Sequence, residues 1–108
     1  MKETDLRNQI LDWLMYRNIY AWLNNTAGTY SKRTKSYFKN PRLKKGVADI
    51  LGILPNGKLF AIECKVGKNK QDDNQKIFQK DIEANNGIYI LAYNLEEVEK
   101  YLKNNKFI

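Results

Sequence analysis

Apolar residues along this chain switch between a helical and a strand-like spacing, and the switches outline the fold. Leu6, Ile10, Trp13 and Leu14 recur at helical spacing, predicting a first helix over residues 3–18. Glu3 stands three residues before Leu6 and seven before Ile10, so it projects from the same apolar face. Residues 19–24 (IYAWLN) read as a strand that Asn24, Asn25 and Gly28 end. Val47 to Leu54 is an apolar run of strand length. Pro55-Asn56-Gly57 is a turn signal, and Leu59 to Lys65 is a second strand, so the pair predicts an antiparallel hairpin. A helix over 73–86 follows, with Asp72 or Asp73 as N-cap, Phe78 and Ile82 on its buried face, and Gly87 as its C′ stop. Ile88 to Tyr93 is a further strand. Asn94 caps a last helix, Glu97 completes a capping box, and Val98, Tyr101 and Leu102 form the apolar stripe. The order α-β-β-β-α-β-α predicts an α/β fold, a mixed central sheet flanked by helices. At 108 residues the chain has the size of a single domain, 1–108.

Charge changes the picture between the first strand and the hairpin. From Trp13 to Ala48 there are 8 basic residues and no acid; of the chain's 19 basic residues, the other 11 share the remainder with all 12 acids. The net charge of +7 therefore sits in one block, concentrated in Lys32, Arg33, Lys35, Lys39, Arg42, Lys44 and Lys45. Tyr30, Tyr37 and Phe38 lie among these charges. Lysine and arginine attract phosphate, and aromatic faces stack on unpaired bases, so these seven residues are candidate nucleic-acid contacts. A solvated basic loop is the plainer reading. Asn40-Pro41 predicts irregular backbone there. Trp13 and Trp22 are assigned to the core, with base stacking as the alternative.

Composition removes several chemistries. The chain has no histidine, which excludes Ser and Cys triads and most catalytic zinc sites. Its one cysteine, Cys64, forms no internal disulfide, and strand alternation turns its thiol into the core. No apolar run is long enough to span a membrane, and the N-terminus lacks a signal-peptide pattern, so a cytoplasmic protein is expected. Gly52, inside an apolar strand, marks a bulge or a close backbone approach.

The remaining chemistry gathers at the hairpin. With the turn centred near Asn56, facing residues have numbers that sum to about 112. Asp49 then faces Glu63, and Lys65 shares Glu63's side of the strand. Facing carboxylates repel. A divalent cation such as Mg²⁺ or Mn²⁺ would relieve the repulsion, and hard cations take oxygen ligands and bind phosphate. Exposed edge charges in a salt bridge are the alternative. Gln75, three residues before Phe78, turns an amide toward the core side of its helix, as Glu3 does a carboxylate on the first. One shared polar site accounts for all of these groups. Gln79, one turn on, is a candidate second amide.

Gly46-Val47-Ala48-Asp49, Glu63-Cys64-Lys65, Gln75 twelve residues after Glu63, and Gly87 together resemble the VRR-NUC nucleases of the PD-(D/E)xK superfamily. Ala48 stands where the superfamily is named for proline. The resemblance implies a restriction-endonuclease-like fold and a divalent-metal-dependent DNA endonuclease, structure-selective for branched DNA, acting as a homodimer in a bacterial cell and of phage or bacterial type. It implies that Asp49, Glu63 and the Cys64 main-chain carbonyl ligate the metal, with Glu3 binding through water or at a second position. It implies that Lys65 orients or activates water and neutralises the transition state, and that Gln75 holds water, Lys65 or phosphate. Two other readings stand beside it: a nuclease fold that binds nucleic acid without cutting, and an accessory protein that grips another protein through its basic face. Tyr30, Tyr37, Phe38 and the terminal Phe107-Ile108 are the candidate dimer contacts.

Overall fold

A computed structural model describes residues 1–24, 29–31, 36–38 and 42–108, with backbone pairing alone for 29–31 and 36–38. The elements are α1 (Glu3–Tyr16), β1 (Tyr20–Leu23), β2 (Thr29–Ser31), β3 (Ser36–Phe38), β4 (Ile50–Ile53), β5 (Leu59–Cys64), α2 (Asp73–Ala84), β6 (Ile88–Ala92) and α3 (Leu95–Asn104). A four-stranded mixed sheet runs in the order β1-β4-β5-β6. β1–β4 and β4–β5 are antiparallel, and β5–β6 is parallel, joined through α2. Apart from a short β2–β3 hairpin inside the basic block, this is the expected order.

The hairpin register is the predicted one. Ile50 faces Ile62, Leu51 faces Ala61, Gly52 faces Phe60 and Ile53 faces Leu59. The β4 ladder starts at Ile50 rather than Val47, because Gly46 adopts a left-handed backbone (φ +71°) and Asp49 sits in a bend just before the strand.

Alternation along the strands divides the core into two layers. Ile50, Phe60, Ile62 and Cys64 face one side, where they pack with Leu6, Ile10 and Leu14 of α1 and Val98 and Leu102 of α3. Ala61 and Tyr89 face the other side, where they pack with Phe78 of α2, and Ala48, Leu51 and Ile82 join them. Cys64 is a buried free thiol, as expected, and burial pushes its pKa up to about 12. Trp13 packs partly against the first layer, as do Phe107 and Ile108, so the chain's last two residues help close the core. Trp22 does not belong to the core: it is 38% exposed, because β1 is the outer strand of the sheet.

All three helices end by the same device. Asn18, Asn86 and Lys106 take left-handed φ values near +60°, and the following N–H returns to a carbonyl five residues back: Ile19 to Leu14, Gly87 to Ile82 and Phe107 to Leu102. Residue 18 therefore lies outside α1, which ends at Tyr16. Asn86, not Gly87, takes the left-handed C′ position after α2; asparagine tolerates it through local hydrogen bonding. Gly87 is needed for space, since a Cβ there would stand 2.7 Å from Ile82 Cγ2 and 3.0 Å from its carbonyl oxygen. Asp72 is the α2 N-cap and forms a reciprocal capping box with Gln75. At α3, Asn94 Oδ1 accepts from Glu97 N–H at 2.9 Å. The return arm differs from the expected box: Glu97 Oε2 accepts from Tyr93 N–H, and Glu97 Oε1 from the Asn94 side-chain amide.

Gly52 marks a close approach and not a bulge, since β4 pairs regularly through it. The Phe60 ring, fully buried, fills the space a Cβ would need, and the Tyr20 carbonyl oxygen would lie at 2.6 Å. Gly52→Ala should therefore destabilise the protein by about 1–3 kcal/mol, the cost of overpacking. Urea unfolding checks this; an unchanged midpoint would show that the ring yields freely.

Candidate active site

The site lies where the C-terminal end of β5 meets the bend before β4. Strand alternation puts Glu63 on the α2 side with Ala61, and only 3% of it is exposed. It is the one buried charged or polar residue among those described. Asp49 is drawn to it by the register: Asp49 Oδ2 accepts from the Cys64 N–H at 2.8 Å, and the Asp49 carboxyl shares a hydrogen bond with that of Glu63. Gln75, in the first turn of α2, donates from Nε2 to Glu63 Oε2 at 3.4 Å. The Gln75 Oε1 is already held by the Asp72 N–H at 2.9 Å, so the residue that caps the helix also presents its NH₂ to the buried carboxyl.

The loop that carries Asp49 is pressed onto the start of α2. A Cβ on Gly46 would collide with the Asn74 carbonyl and stand 2.7 Å from the Gln75 nitrogen. Glycine at 46 thus answers two demands, a left-handed φ and contact with helix backbone. The spacing Gly46-x-x-Asp49 sets Asp49 beside Gln75 for a steric reason.

Burial is the largest influence on Glu63, followed by the charge of Asp49 and the hydrogen bond with it; together they raise its pKa from 4.5 to about 8. Lys65 pulls the other way, and Glu3 adds a smaller upward push. Lys65 is half-buried, and its N–H extends the parallel ladder to Ala92 at 3.0 Å. Glu3 is near enough to act on Glu63 electrostatically, but its Oε2 accepts from Asn69 Nδ2 at 2.7 Å. No group of three or more His, Cys, Asp or Glu side chains among the described residues is gathered closely enough to hold a metal ion. Among the described residues, the donor set suited to a hard cation is therefore the Asp49–Glu63 carboxyl pair. A cation of the Mg²⁺ class, which keeps several waters, asks for no more.

Gln79 is one step removed. Gln71 Nε2 donates to Gln79 Oε1 at 3.0 Å and to Tyr89 Oη at 3.1 Å, forming a polar bridge beside the carboxyls. Burial, with the Glu63 and Asp49 charges, pushes the Tyr89 phenol up to about 12. Of the basic candidates, Arg42, Lys44 and Lys45 are exposed, and Lys44 Nζ reaches Asp81 Oδ2 at 3.7 Å. Lys32, Arg33, Lys35 and Lys39, and the Asn40-Pro41 pair, lie outside the described residues.

Two residues escaped the reading of the sequence. Asn69 ties Glu3 and, through its carbonyl, the Tyr93 hydroxyl (2.7 Å) to the loop after β5. Arg7 lies one turn after Glu3, its charge acts on Cys64, and its Nε is buried without a hydrogen-bond partner among the described residues. Glu3, Arg7, Ile10 and Leu14 form one helical stripe, which is the signal that placed Glu3 and applies equally to Arg7.

The folded protein holds the Glu63 proton more tightly than the unfolded chain, where the carboxyl titrates near 4.5. The resulting stabilisation is complete below about pH 4.5 and is lost as pH rises through about 8. Glu63→Gln should flatten this decline and melt at least about 4 °C above the wild type at pH 8–9, the shift that roughly 1 kcal/mol gives in a domain of this size. Melting curves from pH 5 to 9 check it; parallel curves for the two proteins would contradict it.

Comparison of the chain with protein-family models yields no match, and comparison with curated proteins yields none either.

Proposed function

We propose that this protein is a divalent-metal-dependent DNA endonuclease with a restriction-endonuclease-like fold, of the VRR-NUC type. The observation that carries the proposal is the carboxyl pair: Glu63 is 97% buried against Asp49, in an otherwise apolar strand. A buried carboxyl costs several kcal/mol when left unpaired, and an apolar residue at 63 would pack without that cost. Its retention beside a second carboxyl, an amide and an ammonium fits a site built for ligand chemistry.

In this reading Asp49 and Glu63 hold Mg²⁺ or Mn²⁺, which when bound lowers the pKa of water and polarises a phosphoryl oxygen. Asp49 is oriented by the Cys64 N–H, and ion binding would take the place of its hydrogen bond with Glu63. Gln75 holds the Glu63 carboxylate in place and, with its remaining N–H, reaches water or phosphate. Lys65 neutralises charge gathering on the phosphate. Glu3 acts through water from its hydrogen bond with Asn69. The basic block, with Arg42, Lys44 and Lys45 at its described end, draws in the DNA backbone. A homodimer acting in the cytoplasm on branched DNA follows from the same resemblance; a two-fold pair brings one cleavage site to each strand.

A second reading has its own support. Glu3 is engaged by Asn69, and among the described residues no third carboxyl joins the pair, so a nuclease fold that binds nucleic acid without cutting it fits as well.

Plain, nicked and branched DNA incubated with Mg²⁺ or Mn²⁺ separates the two. The proposal expects cleavage that EDTA abolishes and that Asp49→Ala or Lys65→Ala reduces about 100-fold or more. Cleavage that survives either substitution would refute the assignment, and DNA binding without cleavage would establish the second reading.

A further inference from the structure

Among the described residues, the sheet face that carries Asp49 and Glu63 is covered only in part. α2 packs over β5 and β6 through Phe78, Ala61 and Tyr89. The outer half belongs to β4 and β1. There Tyr20 faces Ile53 and Trp22 faces Leu51, so alternation puts all four on the same side as Asp49. Tyr20 is 69% exposed, Ile53 40% and Trp22 38%. The Tyr20 and Trp22 rings lie 5.5 Å apart, tilted by 55°. Beyond Leu23 the strand runs directly to the site, where the Asn24 N–H donates to the Asp49 carbonyl at 2.8 Å. Trp22, opposite Leu51, is two residues from the Asp49 level, about 7 Å along the strand. That is roughly two nucleotide rises of a stacked strand.

We infer that Tyr20 and Trp22 form a stacking surface for unpaired bases, about two to four nucleotides from the phosphate that meets Asp49 and Glu63. This rests on the nucleic-acid reading above and deepens it by assigning the substrate a single-stranded stretch beside the scissile position. Charge selects the occupant. β1 lies wholly inside the acid-free window from Trp13 to Ala48, which carries 8 basic residues. That stretch offers no carboxylate of its own to meet the basic residues of a second copy. A nucleic-acid strand brings phosphates to the basic residues and flat faces to the rings. Stacking on aromatics also tolerates any base, which suits an enzyme that reads structure and not sequence.

Anisotropy with a labelled single strand and a blunt duplex, in EDTA, tests this without requiring cleavage. Tyr20→Leu and Trp22→Leu keep apolar cover but lose the aromatic face. Each should weaken single-strand binding about 5- to 100-fold, leave duplex binding within about twofold, and leave the salt dependence unchanged. In a Trp13→Phe background, where Trp22 is the sole tryptophan, the single strand should quench its fluorescence. Wild-type affinity for the single strand in both leucine variants would overturn the stacking surface and leave the nucleic-acid reading standing. A wild-type dimer that either variant turns to monomer in sedimentation would also overturn it, by assigning the face to a second copy. Failure of the wild-type protein to bind any DNA would overturn the nucleic-acid reading itself.

Discussion

The burial of one carboxyl organises this molecule. Glu63 sits one residue from the C-terminal end of the sheet's third strand, flanked by fully buried Ile62 and Cys64, and only 3% of it meets solvent. An isolated buried carboxylate is so costly that the group keeps its proton or finds partners. Glu63 does both: its pKa is raised to about 8, and Asp49 and Gln75 hydrogen-bond to it. Each partner is fixed by something else. Asp49 is anchored on the Cys64 N–H, and Gln75 is held by the Asp72 capping box. Gly46 lets the Asp49 loop meet the helix that carries Gln75. Three chain segments far apart in sequence thus converge because each satisfies a local backbone requirement as well.

The two faces of the sheet then divide the work. α1 and α3 close one layer with aliphatic side chains. The other layer is smaller, Ala48, Ala61, Phe78 and Tyr89, and it gives way to polar groups at one end and to exposed aromatics on its outer strand. Stability resides chiefly in the first layer. In the proposed function, the second layer holds the ion, the phosphate and the bases on one continuous surface.

Much of this was legible in the sequence where a short-range rule was decisive. The turn at Pro55-Asn56-Gly57 fixed the hairpin register, and with it the approach of Asp49 to Glu63. Helical spacing placed Gln75 on the inner side of α2, and Asp72 announced its start. What stayed hidden depended on tertiary placement. Trp22 reads as core because it is large and apolar, yet strand order leaves it at an edge. Arg7 reads as surface because it is charged, yet it shares the stripe of Glu3 and Ile10. The left-handed Asn86 was masked by the glycine beside it, and the β2–β3 pair by the density of lysine and arginine around strands of three residues.

The central claim is that Asp49 and Glu63 exist to hold a hard cation, and calorimetric titration with Mn²⁺ near pH 7 tests it most directly. About one ion should bind per chain, with proton release seen as a dependence of the heat on buffer ionisation enthalpy, because the raised carboxyl must ionise to bind. Asp49→Asn and Glu63→Gln should each abolish that binding. No Mn²⁺ uptake by the wild-type protein, or uptake that both variants retain, would contradict it.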